Sequence, residues 1–317
     1  MTRPTILVYE SGGVPVGPEP ALGRLTFDRN LLTEADAVVF HVPTAFHLRD
    51  LPKSPGQVWV AWSMESDVNY PQLSNIHYMK RFDLTMTYRL DSDIPTPYFH
   101  GRTPIEIVRP PLPKTEPAPL VYIASNSRDR SGRLAYVREL MQHAPVDSYG
   151  KSLNTRPILE DRGYETKLEI YSRYKFTLAF ENSRARDYVT EKFFDPLVAG
   201  SVPVYFGAPN IADFAPGDRS FVDVQQFHGP RELAEYLLHV ASDRSEYESY
   251  LLWKQRPLAK RFLDMVDRVS APLFTRLCAK LHESAGSVPT GPDPLHKVAQ
   301  WLLQGGEPPR RSTGSIG

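Results

Sequence analysis

Short apolar runs rich in β-branched and aromatic residues punctuate the first two thirds of the chain, at residues 6–9, 37–42, 58–62, 84–88, 120–124, 176–180 and 202–206. Each is bounded by Gly, Pro, Ser or Asp. Such short runs predict strands buried in a largely parallel sheet, covered on both faces. Helical spacing separates several of them: Leu134, Val137, Leu140 and Met141 fall on one face, as do Leu233, Leu237 and Val240. Strands alternating with helices predict an α/β fold.

The stretch IVRPPLPKTEPAPL, residues 107–120, is too rich in proline to continue a helix or a central strand and reads as a linker. It divides the chain into segments 1–112 and 113–262. In segment 263–317, Val266, Val269, Leu273, Leu277 and Leu281 predict one long amphipathic helix. Just before it, Asp243 is placed to cap a helix. Beyond Glu283 the chain turns Gly, Pro and Ser rich apart from an apolar piece around Trp301, which predicts a mobile tail.

A length of 317 residues, 41% of them hydrophobic, suits two folded domains. Lysine plus arginine and aspartate plus glutamate both number 37, so no overall field draws the chain to nucleic acid or an anionic membrane. A local basic site stays open. The one cysteine, Cys278, excludes an intramolecular disulfide and offers no metal-ligand spacing. The N-terminal apolar run is too short for a signal peptide or a transmembrane anchor. A soluble, cytoplasmic protein is expected.

The densest chemistry lies in YKFTLAFENSRARDYVTEKFFDPLVAGSVPVYFGAPNIADFAP, residues 174–216. The strand 176–180 ends in Glu181, Asn182 and Ser183, the strand-end position where open α/β sheets bind ligands. Thr190 is a good N-cap, Glu191 and Lys192 fill the first turn, and Gly200 is placed to stop the helix. A lysine at the positive end of a helix calls for a compensating anion, and a phosphate would serve. A solvated Lys192 beside an ordinary first-turn Glu191 fits the spacing equally well. Pro196 removes the hydrogen bond its N–H would make to the Lys192 carbonyl and predicts a kink in this helix. A second cluster, SNSRDRSGRLAYVREL at residues 125–140, again follows an apolar strand and opens a helix; Arg128, Arg130 and Arg133 offer forks suited to phosphate. Taken singly the cluster reads better as a solvated basic loop, and it is the presence of two such clusters that points to a diphosphate.

These segments resemble glycosyltransferase family 10, the α-1,3-fucosyltransferases, and stand close to its plant core type. AFENS, DYVTEKFF, LVAGSVPVYFGAPNI and DFAP carry the likeness, joined by SNSRDRSGRL, SYGKSLNTR, QVWVAWSMES and TYRLDSDIP in matching order. The resemblance implies a GT-B architecture of two Rossmann-like domains, 1–112 on the acceptor side and 113–262 binding GDP-fucose. Arg133 and Lys192 would hold the diphosphate. Asn182, Tyr188 and Glu191 would line the donor pocket, with Ser125, Asn126 and Tyr174 close by. Glu65, in WSMESDVNY, would be the catalytic base; read without the resemblance it is a loop carboxylate ranked slightly above Glu10. Trp62 and Tyr70 could offer faces to an acceptor sugar, although Trp62 suits the core equally well.

The implied reaction is an inverting transfer of L-fucose from GDP-fucose to a hydroxyl, O3 by the likeness, of an N-acetylglucosamine-containing glycan, without a divalent metal or other cofactor. Two alternatives stay open: a related GDP-deoxysugar transferase acting on a bacterial surface polysaccharide, and a sugar-nucleotide-binding protein without turnover. Asp91-Ser92-Asp93 has a DxD metal spacing but reads as structural in its TYRLDSDIP setting. Gly12, Gly13 and Gly17 match no phosphate-loop pattern, and His41 with His47 has no usual metal spacing.

Overall fold

The structure is a computed structural model, and it describes residues 3–13, 17, 20, 22–45, 48–99 and 106–284, with residues 49 and 284 described by their backbone alone. The predicted tail, Trp301 and His47 lie outside the described residues. Strands β1 (Thr5–Glu10), β2 (Arg24–Thr26), β3 (Ala37–His41), β4 (Val58–Ser63) and β5 (Leu84–Thr87) build one sheet in the order β2-β1-β3-β4-β5. Strands β6 (Leu120–Ile123), β7 (Val146–Tyr149), β8 (Phe176–Phe180), β9 (Val202–Phe206) and β10 (Val222–Asp223) build a second in the order β10-β9-β8-β6-β7. Every pairing is parallel. Two such sheets with a cleft between them make the expected α/β, GT-B-like plan.

The described helices are α1 (Ile76–Met79), α2 (Arg133–Leu140), α3 (Tyr164–Arg173), α4 (Glu191–Ala199), α5 (Pro230–Ser242), α6 (Arg244–Ser249), α7 (Lys260–Arg268) and α8 (Leu273–Ser284). Side chains alternate along β8, so Phe176, Leu178 and Phe180 meet Val137 and Leu140 of α2 and Leu233 and Leu237 of α5. Ala179 faces the other way, into a core with Phe193, Phe194 and Leu197 of α4. Covering both faces is what makes the central strands continuously apolar. Each large side chain so buried contributes roughly 1.5–3 kcal/mol.

One expectation fails at the C-terminal end. The single long helix is two, α7 and α8, parted at residues 269–272. Pro272 supplies the reason: it has no N–H to donate, and its ring disfavours a helical conformation at Ala271. The two pieces separate in space. Phe262 and Val266 of α7 join the core beside α4 in the second unit, whereas Phe274, Leu277 and Cys278 of α8 pack with Ile6, Val39, Val60 and Trp62 of the first sheet. Segment 263–284 is therefore a strap across both sheets rather than a unit of its own.

Between the sheets, residues 111–119 carry neither helix nor strand. Their course is pinned by Lys114, whose Nζ donates to the carbonyls of Ser172 and Gly200 at 2.8 and 2.7 Å. Lys254 acts nearby, donating its Nζ to Ile107 and Leu197 carbonyls.

Candidate active site

The chain runs from β6 outward to β7 and then returns to the other side of β6 as β8, so the carboxyl ends of β6 and β8 flank a topological switch point. A cleft of about 330 Å³ opens there. It is lined by Glu65 and Tyr98 from before the proline-rich linker and by Ser125, Asn126, Arg133, Asn182, Tyr188, Glu191 and Lys192 from after it. All the sequence-predicted donor residues except Tyr174 thus share one cavity with the predicted base.

On α4 the Thr190 cap forms as expected, its hydroxyl accepting from the Lys192 N–H at 3.4 Å, and Gly200 ends the helix at φ 74°. The anion that balances Lys192 is already built in. Its Nζ lies 3.5 Å from Glu181 and 3.0 Å from Glu191. Glu181 is fully buried and accepts from the Thr190 N–H at 2.7 Å and the Thr190 hydroxyl at 2.9 Å. Burial pushes the Glu181 carboxyl up. Burial also acts on its two neighbours, but is outweighed: Lys192 and Lys167 hold Glu191 below the ordinary carboxylate range, and Glu181 and Glu191 raise Lys192. Lys192 is thereby kept charged in the cleft.

At the second cluster the helix N-terminus is occupied. Asp129 accepts from the N–H groups of Ser131, Gly132, Arg133 and Leu134, at 2.9 to 3.1 Å. Burial works against its charge, yet these backbone bonds and the Ser131 hydroxyl hold its carboxyl below the usual range. Charge for a phosphate must come from side chains here, not from open amides. Arg133 is buried, and its guanidinium donates to the carbonyls of Phe180 at 3.0 Å and Asn126 at 2.8 Å, while Nε has no partner among the described residues. Arg128 instead places its guanidinium 5.3 Å over the ring of Tyr70.

Glu65 follows β4 and is set by a local turn in which its N–H donates to the Ser63 hydroxyl at 3.1 Å. Its Oε2 accepts from the Tyr188 hydroxyl at 3.2 Å and from Asn69 Nδ2 at 3.3 Å. Ser66 meets Ser183 at 2.6 Å, and Asn69 Nδ2 donates to Asn182 Oδ1 at 3.0 Å. The Glu65 loop is therefore laced to the strand end Glu181-Asn182-Ser183. Tyr188 follows Asp187, which adopts φ 64°, an uncommon conformation for a non-glycine residue, and the Tyr188 carbonyl accepts from the Tyr205 hydroxyl at 3.2 Å. Asn210 stabilises the turn at Asp187, donating to Asp187 Oδ1 at 2.8 Å and accepting from the Asp187 N–H at 2.9 Å.

Two predicted residues fall elsewhere. Tyr174 precedes β8, at the end of the sheet away from the cleft, and its hydroxyl contacts Asp147 at 2.8 Å and Tyr149 at 3.0 Å. Some five strand residues, roughly 16 Å, separate it from Asn182. Trp62 is 1% exposed and packs edge-on against His41 and Phe274; it lies on the face of β4 that α8 covers and presents no surface to a sugar. The Asp91-Ser92-Asp93 run is engaged within the first sheet: Arg89 pairs with Asp91 at 2.6 Å, and Asp93 accepts from the Thr85 N–H and hydroxyl. Among the described residues no group of three or more His, Cys, Asp and Glu could hold a metal ion. Nor is any described helix long and apolar enough to cross a membrane.

Asn69 and Tyr98 at the site went unread in the sequence. Asn69 sits four residues after Glu65 in an irregular loop, where no periodicity flags it. The Tyr98 hydroxyl donates to the Met64 carbonyl, a contact that only tertiary structure creates.

Comparison with known proteins gives this geometry a family. The signature described as "Glycosyltransferase family 10 (fucosyltransferase) C-term" matches residues 113–301, and "Fucosyltransferase, N-terminal" matches residues 21–99. The chain is 38% identical over 230 residues to a "Putative fucosyltransferase-like protein" of Arabidopsis thaliana, covering 72% of this chain and 44% of that protein. It is 37% identical over 219 residues to "GDP-fucose protein O-fucosyltransferase 3" of Canis lupus familiaris, covering 64% of this chain and 46% of that one. This chain thus spans less than half the length of either relative. Against "4-galactosyl-N-acetylglucosaminide 3-alpha-L-fucosyltransferase FUT6" of Pan troglodytes the identity is 38% over 282 residues, covering 84% of this chain and 73% of that protein. A solved alpha1,3-fucosyltransferase with GDP-fucose aligns at a TM-score of 0.47 and 19% identity, covering 78% of this chain and 81% of the other. The match over residues 113–301, more than half of the chain, together with 38% identity across nearly three quarters of a curated relative, places this chain in glycosyltransferase family 10.

Proposed function

We propose that this protein transfers L-fucose from GDP-fucose, with inversion, to a hydroxyl of an N-acetylglucosamine-containing glycan, O3 being the expected position. The reading rests above all on one observation: Glu65 from the first sheet and Lys192 with Arg133 from the second line the same cleft. In the reaction the acceptor oxygen attacks the anomeric carbon as its proton passes to Glu65. The bond from that carbon to the β-phosphate oxygen breaks, and GDP leaves with the electron pair. Lys192, with Arg133 beside it, meets the charge growing on the diphosphate. Exclusion of water matters: a charge pair at 4 Å falls from ~4 kcal/mol at an effective dielectric of 20 to ~1 kcal/mol in water.

The test is incubation with GDP-fucose and a panel of glycans bearing N-acetylglucosamine, with and without EDTA, reading GDP release and the mass gained by the acceptor. No gain on any of them sinks the reading; loss of activity in EDTA sinks its metal-independent form. A second acceptor class has support of its own, the 37% identity to a protein O-fucosyltransferase. Fucose appearing on a serine or threonine of a folded protein substrate, with glycans untouched, would favour it.

A further inference from the structure

We propose that Asn69 is a positioning residue that couples the base to the donor pocket, an inference resting on the reading of Glu65 as that base. An amide NH2 group has two N–H bonds. In Asn69 both are engaged, one by Glu65 Oε2 at 3.3 Å and the other by Asn182 Oδ1 at 3.0 Å. The Glu65 carboxylate can only accept, so this end of the amide must be nitrogen, and Asn182 in turn presents its oxygen to it.

The arrangement has three consequences. Tyr188 and Asn69 both donate to Oε2, which leaves Oε1 as the oxygen without a partner among the described residues and so the one able to take the acceptor proton. Asn69 is only 5% exposed and belongs to the acceptor-side loop, while Asn182 stands at the carboxyl end of β8 among the donor residues. The aim of the base therefore depends on the two halves of the site being engaged. Finally, Asn69 Oδ1 is buried with no partner among the described residues, so the amide is held from its nitrogen end alone.

The experiment compares Asn69→Ala and the milder Asn69→Ser with the unmutated chain, in crystals grown with GDP and in steady-state kinetics with GDP-fucose. A serine can serve Glu65 or Asn182 but not both, and it stands in should the alanine variant fail to fold. In the GDP complexes the Glu65 carboxylate is expected to leave its present orientation while Lys192 and the nucleotide stay in place. In kinetics kcat falls about 10- to 100-fold, with the KM for GDP-fucose within about twofold, a split that general loosening of the cleft would not produce. Unmoved Glu65 with kcat within about twofold overturns the assignment, as does a loss carried by nucleotide affinity. If the unmutated chain never turns over GDP-fucose, the transferase reading falls by itself, and the Glu65 position in the variant crystals still decides the role of Asn69.

Discussion

Replacing Gly200 with alanine measures how firmly the proline linker is seated on the end of α4. At φ 74° an L-residue pays the left-handed penalty, about 1–2 kcal/mol. An added Cβ would also stand 2.7 Å from Pro111 Cβ and 2.8 Å from its Cα, well inside contact distance. The linker cannot easily retreat, because Lys114 ties it to the Gly200 carbonyl itself. Overpacking of that kind adds about 1–3 kcal/mol. Gly132, at the N-cap of α2, provides the control: its φ is 82°, but an added Cβ there would meet no described atom within 4 Å, so only the first penalty applies. Urea unfolding at equal m-value should show Gly200→Ala less stable than Gly132→Ala by about 1–3 kcal/mol. Equal losses would mean that Pro111 moves aside freely and that the linker is not a fixed strut.

Glu65→Gln should lower transfer about 100- to 10,000-fold while GDP affinity by calorimetry stays within about twofold; full activity would remove Glu65 from the mechanism. Lys192→Ala should weaken GDP binding about 10- to 100-fold. The same variant should lower the unfolding midpoint, because it leaves the buried Glu181 uncompensated. Stability should also rise with pH between about 7 and 10.5. Burial, with repulsion from Lys114, pushes Lys254 down to about 7 in the folded chain, whereas the unfolded chain keeps the ordinary 10.5. Inside that window the unfolded state binds the extra proton, so this group adds up to ~1.4 kcal/mol per pH unit as pH rises, and the gain is gone once pH falls through 7. Unfolding midpoints for Lys254→Met should show a flatter slope; an unchanged slope refutes the assignment.

The central strands were legible because burial on both faces leaves an unbroken apolar run, as in FTLAF of β8 and VPVYF of β9. The strands missed were β2, β7 and β10, all at sheet edges. There RLT, VDSY and VD mix polar with apolar positions, because one side of the strand meets no neighbour. The caps at Thr190 and Asp243 could be read because capping is local chemistry. The strap could not: hydrophobic spacing from Val266 to Leu281 says that both pieces are buried but not against which sheet. Trp62 shows the same limit, an aromatic near Glu65 in sequence whose burial by α8 depends on residues more than 200 positions away. At the site, resemblance located the charged residues, but the pairing of Lys192 with Glu181 and the lacing of Asn69 to Asn182 arise only when separate loops meet.

The route of α8 bears on how the molecule is made. Phe274, Leu277 and Cys278 pack on the apolar face of the sheet that holds β1 to β5, yet they emerge from the ribosome after all ten described strands. The earliest-made sheet is thus the last to be sealed, and until then its uncovered face is a surface for chaperones or for aggregation. A chain stopped before residue 273 would retain every cleft-lining side chain and still leave that first sheet open.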